Sequence, residues 1–268
     1  MICDITTAEL LEIIASLKSI HGRIITNSFR NFSAAKDKIW RVIYNSNALF
    51  ILVLDNTIVR IEFFASDIYD LRALIDDLPP GDYDMEYIYR KQNDYLASFS
   101  DLGFELYKTM QRYCNYDIGA SFAECKEQIG VKIPFKEYLV LDKGQYFCIK
   151  QLLWDTFDTR ISHLPSDEEL SLFIENGEFL GIFYENRLTT LLQRKLDNNR
   201  FYINQVINYA EPAYIHSIMI GELEKYILSG GKYVYSWIEN DNIASIKFHK
   251  KYGLKPDLIM NDNMILRK

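Results

Sequence analysis

Residues 237–254 have the sequence WIENDNIASIKFHKKYGL, which carries the strongest structural signals in the chain. An apolar run over 233–238 leads into it and predicts a strand. After a polar turn, Asn242 predicts a helix N-cap, because its side chain can accept from a first-turn N–H. The amphipathic helix that follows is short and ends at Gly253, directly before the apolar Leu254. The stretch therefore predicts a strand, a short helix and a glycine stop.

The same stretch resembles the closing segment of the GNAT acyltransferase superfamily, whose pattern is roughly N-x-x-A/S-x-x-L/F-Y/H-x-K-x-G-F. The form with Ser and His is similar to the phosphinothricin-type acetyltransferases within that superfamily. Seven residues fall on the pattern without a gap: Asn242, Ser245, Phe248, His249, Lys251, Gly253 and Leu254. The resemblance implies an acyltransferase fold in this half of the chain.

The bulk composition limits the classes of protein that are possible. A length of 268 residues fits two domains of about 130 residues each, and 49% hydrophobic residues are enough for packed cores. The net charge of -7 argues against a general nucleic-acid or membrane surface, since those partners need clustered Lys and Arg. It also gives an anionic ligand no long-range attraction, so a site for one must be made locally.

Cysteine spacing and the N-terminus predict a compartment. The four cysteines show no C-x-x-C spacing and no nearby His, which predicts reduced thiols and no metal site. Acidic residues Asp4, Glu9 and Glu12 stand where a signal peptide has a basic start. No apolar run approaches the roughly 18 residues of a membrane span. We therefore expect a cytoplasmic protein that uses neither a metal nor a membrane.

The order of elements repeats along the chain. A strand over 83–90 and the run Asn93–Phe104 correspond to a strand over 233–240 and the run Asn242–Leu254, at an offset of about 150 residues. A repeated order with one offset indicates two copies of one fold. Both copies place a glycine and an apolar residue after the short helix.

Local signals place further elements in both copies. Two capping boxes and two hairpins are predicted: Thr6-x-x-Glu9, Ser166-x-x-Glu169, residues 48–64 with a turn at Asp55-Asn56, and residues 179–193 with a turn at Glu185-Asn186. Together the elements predict an α+β (α/β-like) architecture of two GNAT-fold modules, each a mixed, mostly antiparallel sheet flanked by helices. We expect a degenerate N-terminal module over 1–120, a connection over 121–135 and a C-terminal module over 136–268.

In the GNAT family, acyl-CoA lies in a V-shaped gap between two splayed strands, and a Q/R-x-x-G-x-G/A loop binds its pyrophosphate at a helix N-terminus. The resemblance places that loop after Pro212 and implies cofactor contacts from Asn208, Ala210, Ile215, His216, Ser217, Ile218, Met219 and Ile220. Ile215 replaces the Arg or Gln, and Ile218 and Ile220 occupy the Gly and Gly/Ala positions. The alternative is that these apolar residues are the buried face of a helix.

His249 stands where many family members carry a Tyr that protonates the departing thiolate. Imidazole can act as an acid near neutral pH, with an ordinary pKa of about 6.5. The alternative is a partly exposed helix histidine that Lys250 and Lys251 keep neutral. Asn242 and Ser245 would contact the CoA arm, and Asn242 also caps the helix.

Two further roles have several candidates. The basic C-terminal residues could receive the 3′-phosphate of CoA or be a solvated helix face; they are Lys247, Lys250, Lys251, Lys255, Arg267 and Lys268. A base for the acceptor amine could be Asn204, Gln205, Glu211, Tyr235 or Glu239, and the sequence does not rank them.

The resemblance implies an acyltransferase that moves an acetyl group from acetyl-CoA to a small-molecule or peptide amine, sited in the C-terminal module. The first copy lacks a phosphate loop, because Asp67 would put a negative charge at the anion position. The alternative is a catalytically inactive GNAT-fold binding or scaffold protein. A tandem transferase that uses aminoacyl-tRNA is disfavoured by the acidic net charge.

Overall fold

The computed structural model describes residues 2–34, 38–55, 57–90, 95–130, 136–197 and 199–268. The strands are β1 (Cys3–Thr6), β2 (Ile25–Thr26), β3 (Ile39–Tyr44), β4 (Ala48–Asp55), β5 (Ile58–Ala65), β6 (Asp82–Arg90), β7 (Glu105–Asn115), β8 (Leu139–Val140), β9 (Phe179–Tyr184), β10 (Arg187–Asp197), β11 (Arg200–Asn208), β12 (Tyr233–Glu239) and β13 (Lys255–Arg267). The helices are α1 (Thr7–His21), α2 (Leu71–Asp76), α3 (Leu96–Asp101), α4 (Ile118–Gly130), α5 (Tyr146–Thr156), α6 (Asp167–Glu175), α7 (Pro212–Leu228) and α8 (Ile243–Lys250). The predicted turn residue Asn56 and helix start Asn93 lie outside the described residues.

The chain forms two compact units. Unit 1 is Met1–Thr109 with Ile259–Lys268, and unit 2 is Met110–Leu258. Unit 1 includes the end of the chain because β13 pairs antiparallel with β6 over nine residues, from Ile259↔Arg90 to Arg267↔Asp82. The predicted boundaries at residues 120 and 136 differ from this division. Most of the predicted connection is helix α4, and residues 131–135 lie outside the described residues.

Unit 1 contains strands in the order β1-β3-β4-β5-β6-β13, with β2 also paired to β5. The described pairs are antiparallel except β5 with β6. One apolar cluster, with Phe50, Phe63 and Phe99 fully buried, packs the sheet against α2 and α3. A second cluster packs the sheet against α1. This is the predicted mixed, mostly antiparallel sheet flanked by helices.

Unit 2 contains the residues of β7 from Met110 onward, followed across the sheet by β12, β11, β10, β9 and β8. Among its described pairs, β11 and β12 run parallel and the others antiparallel. One apolar cluster joins these strands to α4, α7 and α8, and another joins them to α5 and α6. Helices therefore cover the sheet through two separate cores, and the predicted fold class is confirmed for this unit as well.

Both capping boxes predicted from the sequence are formed. The Thr6 hydroxyl accepts from the Glu9 amide, and the Glu9 carboxylate accepts from the Thr6 amide at 2.7 Å. Ser166 and Glu169 exchange the same pair of bonds at the start of α6. Because a capping box lies within four consecutive residues, local sequence was sufficient to predict it.

The repeat is confirmed where the two short helices end. Gly103 after α3 has φ +95°, and Gly253 after α8 has φ +72°. The amide of the next residue, Phe104 or Leu254, donates to a carbonyl five residues back, at 3.0 and 3.3 Å respectively. That bond and the left-handed glycine are the Schellman arrangement. Phe104 and Leu254 are 3% and 0% exposed, so each helix stop also supplies a core residue.

Gly231, between α7 and β12, has no room for a side chain. A Cβ there would lie 2.2–2.4 Å from ring atoms of Tyr226, whose hydroxyl is held 2.9 Å from the Tyr233 carbonyl. We expect Gly231→Ala to lower the free energy of unfolding by about 3 kcal/mol. The matched control is Gly230→Ala, where a Cβ meets open space and φ +88° alone adds strain of about 1 kcal/mol. Urea unfolding of both variants checks this, and equal losses would contradict it.

Candidate active site

The central parallel strands of unit 2 pair only at their beginnings. β11 and β12 match from Arg200↔Tyr233 to Ile203↔Ser236 and then separate. At the point of separation the Ser236 hydroxyl donates to the Ile203 carbonyl at 2.9 Å. Beyond it, the facing edges of β11 and β12 pair with no other strand in the part of the chain that the structure describes. The result is a gap flanked by two strand edges.

A bulge in β11 lies beside this gap. The register between β10 and β11 shifts between Gln193 and Arg194, so that Asn204 is an extra residue in β11. The shift reverses which face of the sheet the following side chains occupy. Ile203 accordingly packs with α7, whereas Ile207 packs with α5 and α6. The sequence did not signal this bulge, because a bulge is a property of two paired strands.

The predicted pyrophosphate loop is a buried helical segment. α7 begins at Pro212, with proline in its first turn, and the six residues Ile215–Ile220 are each at most 4% exposed. The Ser217 hydroxyl donates to the Ala213 carbonyl at 2.7 Å and accepts from the Lys136 amide at 2.8 Å. The protein itself surrounds these side chains, so they cannot contact a pyrophosphate, and a contact through backbone N–H groups stays a prediction. The buried helix face describes them correctly.

His216 joins α7 to the end of α8. Its Nε2 lies 3.3 Å from Nζ of Lys251, and its Nδ1 lies 2.5 Å from the Tyr252 hydroxyl. An ammonium group can only donate, so Nε2 accepts and Nδ1 carries the ring proton. Burial, and then the charge of Lys251, lower the pKa of His216 to about 4. At neutral pH the ring is an uncharged core residue rather than a ligand for phosphate.

His249 is held in the wrong form for the predicted acid. Its Nδ1 donates to the Ser245 carbonyl at 2.8 Å, so Nε2 carries the lone pair. Nε2 has no partner among the described residues, and the side chain is 2% exposed. Burial lowers the pKa of His249 to about 4. A neutral ring with a bare Nε2 can accept a hydrogen bond but cannot protonate a thiolate. The alternative of a partly exposed histidine does not fit either.

Asn242 caps α8 as predicted. Its side-chain oxygen accepts from the Ser245 amide at 3.0 Å. The Ser245 hydroxyl lies 3.3 Å from Nδ1 of His249. The contact of Asn242 and Ser245 with a CoA arm stays a prediction.

Asn208 is the last residue of β11, and Ala210 lies in the bend that follows it. The Asn208 amide donates to the carbonyls of Ala210 and Glu211 at 3.2 and 3.3 Å, and its oxygen accepts from the Thr190 hydroxyl at 2.8 Å. Asn208 therefore shapes the turn from β11 into α7. Its contact with a cofactor stays a prediction.

The base candidates are now separable by chemistry. Amides such as Asn204 and Gln205 cannot take a proton at neutral pH. Tyr235 stacks on Tyr202 with ring centroids 4.7 Å apart, and burial raises the pKa of Tyr235. A tyrosine that stays neutral is a poor base. The carboxylates Glu211, at the start of α7, and Glu239, at the end of β12, are the candidates that remain.

Within the described ranges, no group of three or more His, Cys, Asp or Glu is placed to hold a metal ion. The helices of that same part of the chain include none that is both long and apolar enough to cross a membrane.

Comparison with known proteins identifies the fold. No family model and no curated protein sequence matches the chain. A GCN5-related N-acetyltransferase from Sphaerobacter thermophilus has a TM-score of 0.57 at 7% identity, over 99% of this chain and 95% of that one. A tandem GNAT protein from the clavulanic acid biosynthesis pathway has a TM-score of 0.55 at 8% identity, over 100% and 98%. A GNAT-family acetyltransferase from Colwellia psychrerythraea has 0.51 at 12% identity, over 100% of both.

At this level of identity the likeness shows the fold alone. The likeness extends over nearly the whole of this chain and of each compared chain. One of the compared proteins is a tandem GNAT protein, so the chain has a tandem GNAT fold. The predicted fold of two GNAT-type modules is confirmed.

Proposed function

We propose that this tandem GNAT-fold chain is an N-acyltransferase in which unit 2 transfers an acyl group, acetyl in the simplest case, from CoA to an amine. The observation that carries the proposal is the gap between β11 and β12, bordered by the bulge at Asn204. Exposed strand edges offer backbone N–H and C=O groups to an extended ligand. The pantetheine arm of CoA is such a ligand, because it is a narrow chain with two amides.

Catalysis in this gap would depend mainly on holding the amine and the thioester in the orientation for direct attack. The amine nitrogen attacks the thioester carbon, a C–N bond forms and the C–S bond breaks. The ammonium proton passes to a base, for which Glu211 and Glu239 are the candidates. The Nδ1 proton of His249 is held by the Ser245 carbonyl and Nε2 carries no proton, so the thiolate leaves and takes its proton from water. A free thiol with a pKa of about 8.5 allows this near neutral pH.

The buried side chains in the first half of α7 offer no contact to the diphosphate of CoA. No glycine lies in the buried segment Ile215–Ile220, and its side chains are enclosed. Positive charge comes from exposed lysines on and after α8, namely Lys247, Lys250, Lys251 and Lys255. Contacts of that kind contribute about 1 kcal/mol or less each. The affinity for the donor would therefore come from the arm.

Calorimetry with three ligands tests this. We expect acetyl-CoA to bind, and acetyl-pantetheine to bind within a factor of about ten, which is roughly 1.4 kcal/mol. Adenosine 3′,5′-bisphosphate, the nucleotide part alone, is the control and should not bind at millimolar concentration. Bound acetyl-CoA at a hundredfold excess over Kd should stabilise the fold by about 2.7 kcal/mol. If acetyl-CoA neither binds nor shifts the melting temperature at millimolar concentration, the transferase proposal is rejected.

A second candidate has a specific observation in its favour. The enclosed helix at Ile215–Ile220 and the neutral His249 are what a GNAT fold without activity would carry. In that case the chain is a binding or scaffold protein. Absence of acetyl-CoA and pantetheine binding would support this candidate, and turnover of acetyl-CoA with any amine would exclude it.

A further inference from the structure

Unit 1 contains a second gap of the same kind. Its parallel strands β5 and β6 pair at Val59↔Tyr83 and Arg60↔Asp84 and then separate. The other edge of β5 is fully used, because β4 pairs along it from Ala48↔Ala65 to Asp55↔Ile58. Any further strand that pairs with β5 must therefore enter the gap.

The strand that does so is β2. It pairs antiparallel with the far end of β5, at Ile25↔Ala65 and Thr26↔Phe64. The Thr26 hydroxyl also donates to the Phe63 carbonyl at 2.6 Å. The chain thus places its own backbone along the edge of β5 that faces β6. This differs from unit 2, where the corresponding edge of β11 pairs with no described strand.

Asn27 closes the part of the gap nearest to the point of separation. Its side-chain amide donates to the Ile61 carbonyl on β5 at 3.0 Å and to the Glu86 carbonyl on β6 at 2.8 Å. Its oxygen accepts from the Phe63 amide at 2.7 Å. One side chain therefore bridges both strands with its two N–H groups and its oxygen. Asn27 is 9% exposed, so these bonds are shielded from water.

The end of the segment is tied to β5 by side chains. The Ser28 hydroxyl donates to Oε2 of Glu62 at 2.5 Å, and the Arg30 guanidinium donates to the other oxygen of the same carboxylate. Glu62 accepts from both, so the segment is held beyond Asn27 as well.

The position that corresponds to a phosphate site is also occupied by the chain itself. In the helical turn after β5, the Asp67 carboxylate accepts from the Tyr69 amide at 2.9 Å. The Asp70 carboxylate accepts from the Asp67 amide at 3.0 Å. The N–H groups at this helix start therefore already have anionic partners, and the local charge opposes a phosphate.

We infer that the gap of unit 1 is a strand-binding groove whose ligand is the chain's own segment Ile25–Arg30, so that a thioester donor binds once per chain, in unit 2. The filled groove is argued from unit 1 alone. The single donor site rests in addition on the proposed function of unit 2. Asn27 is the residue that closes the groove, because its side chain contacts both strands.

Hydrogen exchange on the ligand-free protein tests the closed groove. The Phe63 amide should be protected in the native chain and exchange at least about tenfold faster in Asn27→Ala. Ser28→Ala is the matched control, since it removes a bond to a side chain and should leave Phe63 within a factor of about three. The amides of the β3–β4 pairing, which lies in the same unit as Phe63, serve as the internal reference for unfolding of unit 1. Equal exchange of Phe63 in the native chain and Asn27→Ala would overturn the inference.

A second variant tests whether the hydrogen bonds from Asn27 to β5 and β6 hold the segment, as distinct from a general loss of stability. Asn27→Asp keeps an oxygen for the Phe63 amide but loses both donors to the Ile61 and Glu86 carbonyls. We expect it to protect Phe63 less than the native chain does, because its carboxylate faces two carbonyl oxygens. Protection equal to that of the native chain would show that the bridge to β6 does not hold the segment.

Calorimetric stoichiometry with acetyl-CoA tests the single site. One equivalent per chain is expected. Two equivalents would overturn the inference while leaving the transferase proposal intact. No binding at all would reject the transferase proposal and, with it, the donor site, while the exchange experiment still decides whether the groove is closed.

Discussion

Lowering the pH from 7 to 4 is expected to lower the free energy of unfolding by about 6 kcal/mol through two histidines alone. His216 and His249 are each 2% exposed, and burial lowers the pKa of each to about 4. In the unfolded chain both should titrate near 6.5. A difference of about 2.5 units corresponds to roughly 3 kcal/mol for each ring at pH 4.

The direction of this change in the free energy of unfolding follows from proton binding. Between pH 6.5 and 4 the unfolded chain holds protons on both rings, whereas the folded chain holds neither. The stabilisation is therefore fully present above pH 6.5 and is lost as the pH falls toward 4. Urea unfolding at pH 7, 6, 5 and 4 measures the loss.

Two variants separate the contribution of the histidines to this loss of stability from that of the carboxylates, which also titrate in acid. His216→Gln and His249→Gln each remove one titrating ring, so each should show a smaller loss between pH 7 and 4, by about 3 kcal/mol. If both variants lose stability in parallel with the native chain, the buried histidines are not the cause. A smaller loss in only one variant would assign the effect to the ring which that variant removes.

Replacing the buried carboxylate of Glu222 should be the most damaging single change in α7. One oxygen accepts from the Tyr138 hydroxyl at 2.8 Å and from Lys225 at 2.7 Å, and the other accepts from Arg194 at 2.9 Å. Burial by itself would raise the pKa of Glu222, but these bonds and the charge of Arg194 outweigh it and lower the pKa. Glu222→Ala leaves a half-buried guanidinium unpaired, so we expect a loss of about 3–5 kcal/mol.

Helix α7 offers a matched control two residues further on. Glu224 pairs with Lys126 at 2.7 Å, but both side chains are well exposed, at 46% and 40%. Glu224→Ala should therefore lower the free energy of unfolding by about 0.5 kcal/mol or less. Urea unfolding of the two variants at pH 7 makes the comparison. If the two variants lose similar amounts of stability, Glu222 contributes no more than a surface charge does, and the argument from its burial is wrong.

The elements that could be predicted from sequence are those whose bonds lie within a few residues. Thr6 and Glu9 form their capping box, Asn242 caps α8, and Gly253 ends the same helix in a left-handed conformation. The same ending at Gly103, together with the repeated order of elements, allowed two copies of one fold to be predicted. Each of these depends on local backbone geometry, which the residue type controls directly.

The boundaries of the units could not be predicted in the same way. They depend on β13 pairing with β6, a contact between residues far apart in the chain. An apolar strand can pair with any free edge of suitable register, and its sequence does not say which. The predicted division at residues 120 and 136 followed chain order instead.

The features of the candidate site also fall into two groups: those that local sequence predicts and those that depend on contacts between distant residues. The sequence alone determined that a strand, a short helix and a glycine stop of GNAT type occur here, because those signals are local. The tertiary structure decided that Asn204 is a bulge beside a gap, that Asn27 fills the corresponding gap in unit 1, and that His249 is neutral with a bare Nε2. The register of a strand, the occupancy of a gap by Asn27 and the burial of His249 each depend on which residues pack against them. Those neighbours come from distant parts of the chain and are in place only after folding.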